Sequence, residues 1–80
     1  MNDKTDKIES TVLNFRLVLG EEIKNVREQK GLNQEQLAEI MGVSRSTISK
    51  IENGKFSISV DYLARFSIYL DHEFKVLEKQ

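Results

Sequence analysis

The chain contains no cysteine, no proline and no tryptophan, and its single histidine is His72. Without cysteine, disulfide bonds are excluded, and the absence is natural for a cytosolic protein. A zinc site is excluded as well, because one histidine without cysteine cannot supply the ligands. We therefore expect neither a metal nor a cofactor.

Side chains arranged for catalysis are also missing. There is no cysteine nucleophile, no second histidine and no glycine-rich phosphate loop. Glu21 and Glu22 are neighbours on a predicted helix, so their carboxylates point in different directions. The sequence therefore predicts a protein that is not an enzyme.

Long apolar runs are absent too. The longest candidate, residues 12–19, is interrupted by Asn14 and Arg16, so neither a signal peptide nor a membrane span is predicted. We expect a cytoplasmic location and no membrane partner. Eighty residues form one domain at most and bury a small core. Either a dimer interface or well-idealised helical packing is therefore expected.

The charge is unevenly distributed along the chain. The formal net charge is −1, which argues against nucleic acid as a partner, because domains that bind DNA are commonly basic. Residues 23–58, however, carry a net charge of +2, whereas residues 1–22 carry −2 and residues 59–80 carry −1. A modest local positive charge predicts few phosphate contacts and a shallow salt dependence.

The middle of the chain reads as two short helices joined by a tight turn. Asn33 followed by Gln36 forms a capping-box pattern, Gly42 marks the turn, and Ser44 can cap the second helix. Each helix has one apolar stripe, with Leu37, Ala38 and Met41 on the first and Ile48 and Ile51 on the second. The other side of the second helix is polar and basic. This pattern predicts a helix-turn-helix over residues 33–53, whose second helix, residues 44–53, enters the major groove of DNA.

The stretch LNQEQLAEIMGVSRSTISKIENGK, residues 32–55, resembles the helix-turn-helix of the phage repressor and Cro (XRE) family. The resemblance implies an all-α, lambda-repressor-like domain of four to five helices. It also implies a nucleoid-associated transcriptional regulator, by default a repressor, that binds a palindromic operator as a homodimer. Half-sites would then lie about 34 Å apart.

Base contacts are predicted for one face of the recognition helix, at Arg45, Ser46, Thr47 and Lys50. The Arg45 guanidinium can bond both O6 and N7 of guanine. For Ser46 and Thr47 an alternative is ordinary first-turn capping.

Phosphate contacts are predicted at both ends of the motif. The resemblance implies a clamp by Asn33 and Gln34, at the positive end of the first helix, and a second clamp is expected at Asn53 and Lys55. The resemblance further implies a structural ion pair between Arg27 and Glu52, which would orient the recognition helix and hold Arg27 near a phosphate.

The segment before the motif divides into a predicted mobile tail, residues 1–10, and a helix over residues 16–30 with an extra turn or short helix from residue 11. Gly20 lies within this pattern, where a break is possible. We expect Phe15 and Leu19 in the core, with a second subunit as the alternative contact.

After the motif, Ser59 is expected to cap a fourth helix that completes a domain of residues 11–71. Asp71 stands where the family commonly has glycine. Residues 72–80 suit either a short strand or a fifth helix, and we predict a role for them in dimerisation or partner binding.

Two alternative functions remain open at this stage. One is the antitoxin of a toxin–antitoxin pair, in which the chain would bind a toxin protein as well as double-stranded DNA. The other is a restriction-modification controller.

Overall fold

The computed structural model describes residues 3–74, with side chains from Lys4 onward. In this part of the chain there are four helices and no strand, which confirms the predicted all-α class: α1 (Asp3–Gln29), α2 (Gln34–Met41), α3 (Arg45–Glu52) and α4 (Val60–Leu70). None of these helices is long and apolar enough to cross a bilayer. The sequence predicted either a strand or a helix for residues 72–80. Most of that segment, residues 75–80, lies outside the described residues.

The first helix is longer than predicted. It begins at Asp3 and runs for 27 residues without interruption, so residues 3–10 belong to α1 and the predicted start near residue 16 is wrong. The segment contains neither proline nor glycine before Gly20, and Asp3 and Asp6 favour the positive N-terminal end of a helix. The polar composition of residues 3–10 was the reason for predicting a mobile tail. The same composition suits a helix that is exposed to solvent on most sides.

Gly20 does not break α1. It is buried where α1 meets the C-terminal end of α3, and a β-carbon at this position would collide with the carbonyl oxygen of Ile51. The carbonyl carbon of Glu52 would lie only 3.0 Å away. Glycine therefore permits the close backbone approach that fixes α3 against α1.

The helix-turn-helix begins and turns as its capping residues predicted. The Asn33 side chain accepts a hydrogen bond from the Gln36 amide (2.7 Å), and the Gln36 side chain accepts one from the Asn33 amide (2.8 Å). Gly42 adopts the left-handed conformation, with φ of 73°, and ends α2. Ser44 Oγ then accepts a hydrogen bond from the Thr47 amide (3.1 Å), which starts α3. The start of α2, the turn after it and the start of α3 are therefore set by local interactions.

The core lies between the four helices and takes the inner face of each. Its fully buried large side chains are Ile23, Leu37, Met41, Ile48, Ile51, Phe66 and Leu70. Leu19 packs against this core, as predicted, but Phe15 does not, since 65% of its side chain is exposed. The prediction for Phe15 is wrong because α1 continues outward past the edge of the core.

The fourth helix begins and ends at predicted positions. Ser59 Oγ accepts a hydrogen bond from the Tyr62 amide (3.0 Å), and Asp71 ends the helix with φ of 50° and ψ of 51°. Asp71 thus adopts the conformation that glycine would supply. Beyond it, His72 Nε2 lies 2.8 Å from a Glu22 carboxylate oxygen and Phe74 packs against the core. The described start of the tail therefore lies against the domain.

Candidate nucleic-acid interface

The outward side of α3 forms an open depression, which we call the α3 depression. It is lined by Arg45, Ser46, Ser49, Lys50, Asn53 and Lys55. Three of these side chains are cations and none is a carboxylate, although the whole chain has a net charge of −1. The apolar stripe of α3 is buried on the opposite side, so the basic side is fixed outward. Five of the nine residues predicted to contact DNA meet here.

Thr47, which was also predicted to contact bases, lies apart from the α3 depression. It is half-buried, and its hydroxyl lies 3.0 Å from the Ser44 hydroxyl. The structure thus places the Thr47 side chain in the cap of α3, which is the alternative considered from the sequence.

Asn53 lies in the depression with its amide turned back on the helix. Its Nδ2 donates a hydrogen bond to the Ser49 carbonyl (2.8 Å) and lies 3.5 Å from the Ser49 hydroxyl. Any bond from Asn53 Nδ2 to a phosphate would therefore have to compete with this contact or use its second hydrogen.

Arg27 and Glu52 are brought together in a buried, two-pronged ion pair. Arg27 Nε lies 2.7 Å from Glu52 Oε2, and Arg27 Nη2 lies 3.1 Å from Glu52 Oε1. Only 8% and 2% of the two side chains are exposed. The hydrogen bonds that Arg27 donates to the Glu52 carboxylate raise the pKa of Arg27 above its ordinary value. The pair joins α1 to the end of α3 in a fixed geometry.

Two further contacts extend this pair to the start of α2. Arg27 Nη1 donates to the Leu32 carbonyl (2.7 Å), and Gln34 Nε2 donates to Glu52 Oε1 (3.0 Å). Gln34, predicted to bind phosphate, thus directs its side-chain amide at Glu52. The structure consequently gives its side chain an orienting role, and its backbone amide remains at the positive end of α2.

A second depression, the α2 depression, lies at the start of α2. It is lined by Arg27, Asn33, Gln34, Glu35 and Arg45. Because Arg45 borders both depressions, the two are neighbours on one surface. Glu35 was not predicted here. It is the first-turn acid of α2, and it lines a depression where phosphate is expected. The spacing of residues in the motif does not show whether a first-turn acid lies beside the phosphate site or points away from it, so Glu35 could not be predicted from the sequence.

The HTH_3 helix-turn-helix family model matches residues 23–74, which is more than half of the chain. The chain belongs to this family. Its described part is an all-helical, lambda-repressor-like domain, and the protein is a DNA-binding regulator of the XRE type. The match begins at residue 23, so most of α1 lies before it.

Individual relatives agree with this assignment. The ImmF control region 10 kDa protein of Bacillus phage phi105 is 38% identical over 60 residues, which are 75% of this chain and 67% of the phage protein. Antitoxin PezA of Streptococcus pneumoniae is 37% identical over 58% of this chain but only 29% of its own length. Among solved structures, the restriction-modification controller protein C.AhdI of Aeromonas hydrophila superposes with a TM-score of 0.71 at 30% identity. That superposition covers 76% of this chain and 88% of the controller.

Proposed function

We propose that this HTH_3 protein is a sequence-specific repressor that binds a palindromic operator as a homodimer and inserts α3 into the major groove. The observation that carries the proposal is the α3 depression, where three cations and no carboxylate surround an outward helix face. A duplex presents phosphates on both sides of the major groove, so this charge pattern fits an inserted helix.

Within this proposal, Arg45, Ser46 and Lys50 contact bases. Arg45 is exposed in the first turn of α3, the part of a recognition helix that reaches base edges. Lys50 lies one turn further along the same face and reaches a base edge or a phosphate. Thr47 supports the same readout from the cap, because it helps to fix the turn that carries Arg45.

Phosphate contacts are proposed at the two ends of the motif. At the α2 depression, the first backbone amides of α2 lie beside Asn33 and have no carbonyl partner within the helix. At the other end, Asn53 and Lys55 border the α3 depression. The buried Arg27–Glu52 pair would hold α1 and α3 in the relative orientation that lets both ends contact one backbone.

A homodimer is proposed because one α3 offers few side chains to read bases. Three exposed side chains that contact bases can recognise only a short DNA sequence. Two copies related by a two-fold axis double the length of the sequence that is recognised. The half-sites would lie about 34 Å apart on one face of the duplex. Similarity to a phage control region protein supports a regulatory role, in which the bound dimer blocks transcription from an overlapping promoter.

Recovery of bound DNA across a genome, followed by titration of the recovered site, tests this function. We expect Arg45→Ala to weaken operator binding at least about 30-fold, because a bidentate arginine–guanine contact is worth about 1–3 kcal/mol and the bound dimer loses two of them. Binding to random DNA should change much less. Fluorescence anisotropy with labelled duplexes at one fixed salt concentration measures both.

Lys24→Ala is the matched control, since Lys24 is exposed on α1 and lines neither depression. This variant should bind both DNAs as the unmodified protein does. If Arg45→Ala and Lys24→Ala bind the operator with equal affinity, Arg45 does not contact a base. No complex with any duplex at low salt would overturn DNA binding itself.

A second candidate is an antitoxin, supported by the 37% identity to antitoxin PezA over 58% of this chain. In this case the protein would also bind a toxin protein, and a small partner encoded by a neighbouring gene would co-purify with it. The similarity to C.AhdI likewise supports a restriction-modification controller. Its operator would then lie upstream of a restriction or methyltransferase gene, a location that the recovered DNA would reveal directly.

A further inference from the structure

The apolar stripe of α1 continues beyond the domain core. In the second half of the helix, Ile23 and Val26 are buried. On the same face, Ile8, Val12 and Phe15 are 60%, 41% and 65% exposed. These five positions recur at helical spacing, so they form one continuous line along α1. Among the described residues, the apolar stripe is therefore covered by the core in the second half of α1 and exposed in the first half.

Beside this exposed stripe runs an apolar groove. The groove has apolar side chains on both sides. Val12, Phe15 and Leu19 lie on α1; opposite them lie Ile58, just before α4, and Val60 and Leu63 in α4. Val60, in the first turn of α4, is 73% exposed. A helix carrying apolar side chains at positions i, i+4 and i+7 is the usual occupant of such a groove. Ile8, Val12 and Phe15 have this spacing.

We propose that the occupant is a second copy of this chain, with the first halves of the two α1 helices packed antiparallel. The inference rests on the homodimer of the proposed function and names its interface. One chain carries both the groove and a helix that fits it. A two-fold axis between two copies therefore places each helix in the groove of the other.

The charges beside the stripe complement each other in this arrangement. A register that sets Val12 against Phe15 of the second copy also places Glu9 beside Arg16 of the second copy, and the two-fold axis repeats the pair. Arg16 lines the groove. Neither Glu9 nor Arg16 has an ion-pair partner among residues 4–74 of a single copy. The pairing thus gives each charge an opposite partner at the rim of an apolar contact.

Residues 75–80 offer few apolar side chains to such a stripe. The exposed stripe from Ile8 to Phe15 is about 10 Å long at the helical rise per residue. Residues 75–80 contain only two apolar side chains, Val76 and Leu77. They also follow Phe74, which packs against the core beside His72, and His72 contacts α1 at Glu22, beyond the far end of the stripe. A second copy supplies an apolar line of the required length.

Charge reversal tests the proposed register with the full chain, by sedimentation equilibrium. Glu9→Arg and Arg16→Glu each place two like-charged pairs at the interface, so each alone should raise the dissociation constant of the dimer about tenfold. Mixed in equal amounts, the two variants should form heterodimers about as tight as the unmodified dimer, because both pairs are then opposite in charge. Glu21→Arg, an exposed charge reversal on α1 outside the groove, should leave the dimer unchanged.

Phe15→Ser tests the apolar contact independently. Two Phe15 side chains leave the interface, so the dissociation constant should rise about 100-fold. Ile68→Ser, at an apolar side chain that is 77% exposed on α4 outside the groove, is the control. Circular dichroism should show the same helicity for both variants, because neither side chain belongs to the core.

The outcomes separate this interface from the proposed function. A Phe15→Ser protein that is monomeric and still binds random DNA at low salt supports the interface. If the unmodified protein is monomeric at every concentration but binds DNA, the interface is overturned while DNA binding stands. If the unmodified protein is dimeric and none of Glu9→Arg, Arg16→Glu and Phe15→Ser weakens it, the interface lies elsewhere. Deletion of residues 75–80 would then test the tail.

Discussion

At the scale of single residues, the buried Arg27–Glu52 pair is the contact whose loss we expect to destabilise the domain most. Each partner lies almost completely out of water, so the loss of one leaves the other charged, buried and unpaired. Because its pKa is raised, Arg27 stays protonated throughout the pH range in which the folded protein is handled. The stabilisation from the intact pair is therefore fully present below the unfolded-state pKa of arginine and is lost only as the pH rises through the raised pKa of the folded state.

Glu52→Ala should therefore lower the free energy of unfolding by about 3–5 kcal/mol, the usual cost of breaking a buried pair. That is a large share of the total stability of a small domain. Glu28→Ala is the control, because the Glu28 carboxylate lies 3.9 Å from Arg27 Nη2 but is 56% exposed. It should cost less than about 1 kcal/mol. Urea unfolding measures both, and equal losses would show that the Arg27–Glu52 pair is no more important than a surface contact.

Asp71 carries backbone strain that glycine would not. Its φ of 50° lies in the left-handed region, which costs an L-residue roughly 1 kcal/mol. Asp71→Gly should raise the free energy of unfolding by about 0.5 kcal/mol, since part of the relief is offset by the greater entropy of an unfolded glycine. Asp61→Gly, in the regular first turn of α4, should instead be destabilising. Thermal melts of the two variants should move in opposite directions.

At the scale of helices, local hydrogen bonding and tertiary contact explain which predictions succeeded. The caps at Asn33, Ser44 and Ser59 act within four residues of each helix start, so the sequence places these starts correctly. The burial of Phe15 depends on how far the core extends along α1, and the role of Gly20 depends on another helix. Neither is a property of neighbouring residues, so neither could be predicted from spacing alone.

Gly20 gives the sharpest test at this scale, because local and tertiary effects have opposite signs. In the interior of an isolated helix, Gly→Ala stabilises by about 1 kcal/mol. Here the added methyl group would collide with the Ile51 carbonyl and push α3 away from α1. Gly20→Ala should therefore destabilise the domain, by about 1–3 kcal/mol. Asn14→Ala, on an exposed part of α1, should stabilise it slightly. A stabilised Gly20→Ala protein would contradict the close approach of α1 and α3.

At the scale of the whole molecule, the distribution of charge matters more than its sum. The net charge is −1, yet the α3 depression has three cations and no carboxylate among its lining residues. The negative part of the chain includes the first half of α1, which lies before the family match. Binding to DNA of any sequence should consequently be weak and should rest on a few phosphate contacts, so specificity depends on base contacts made by α3.

The salt dependence of binding counts those phosphate contacts. Each contact between a cation and a phosphate adds about 0.9 to the slope of log K against log salt concentration. If Lys55 contacts one phosphate per copy, Lys55→Ala should reduce the slope by about 1 for each bound copy. Affinity for operator and for random DNA should fall by similar factors, because a phosphate contact carries no sequence information. Lys24→Ala should leave the slope unchanged, and a Lys55→Ala slope equal to that of Lys24→Ala would place Lys55 outside the contact with the backbone.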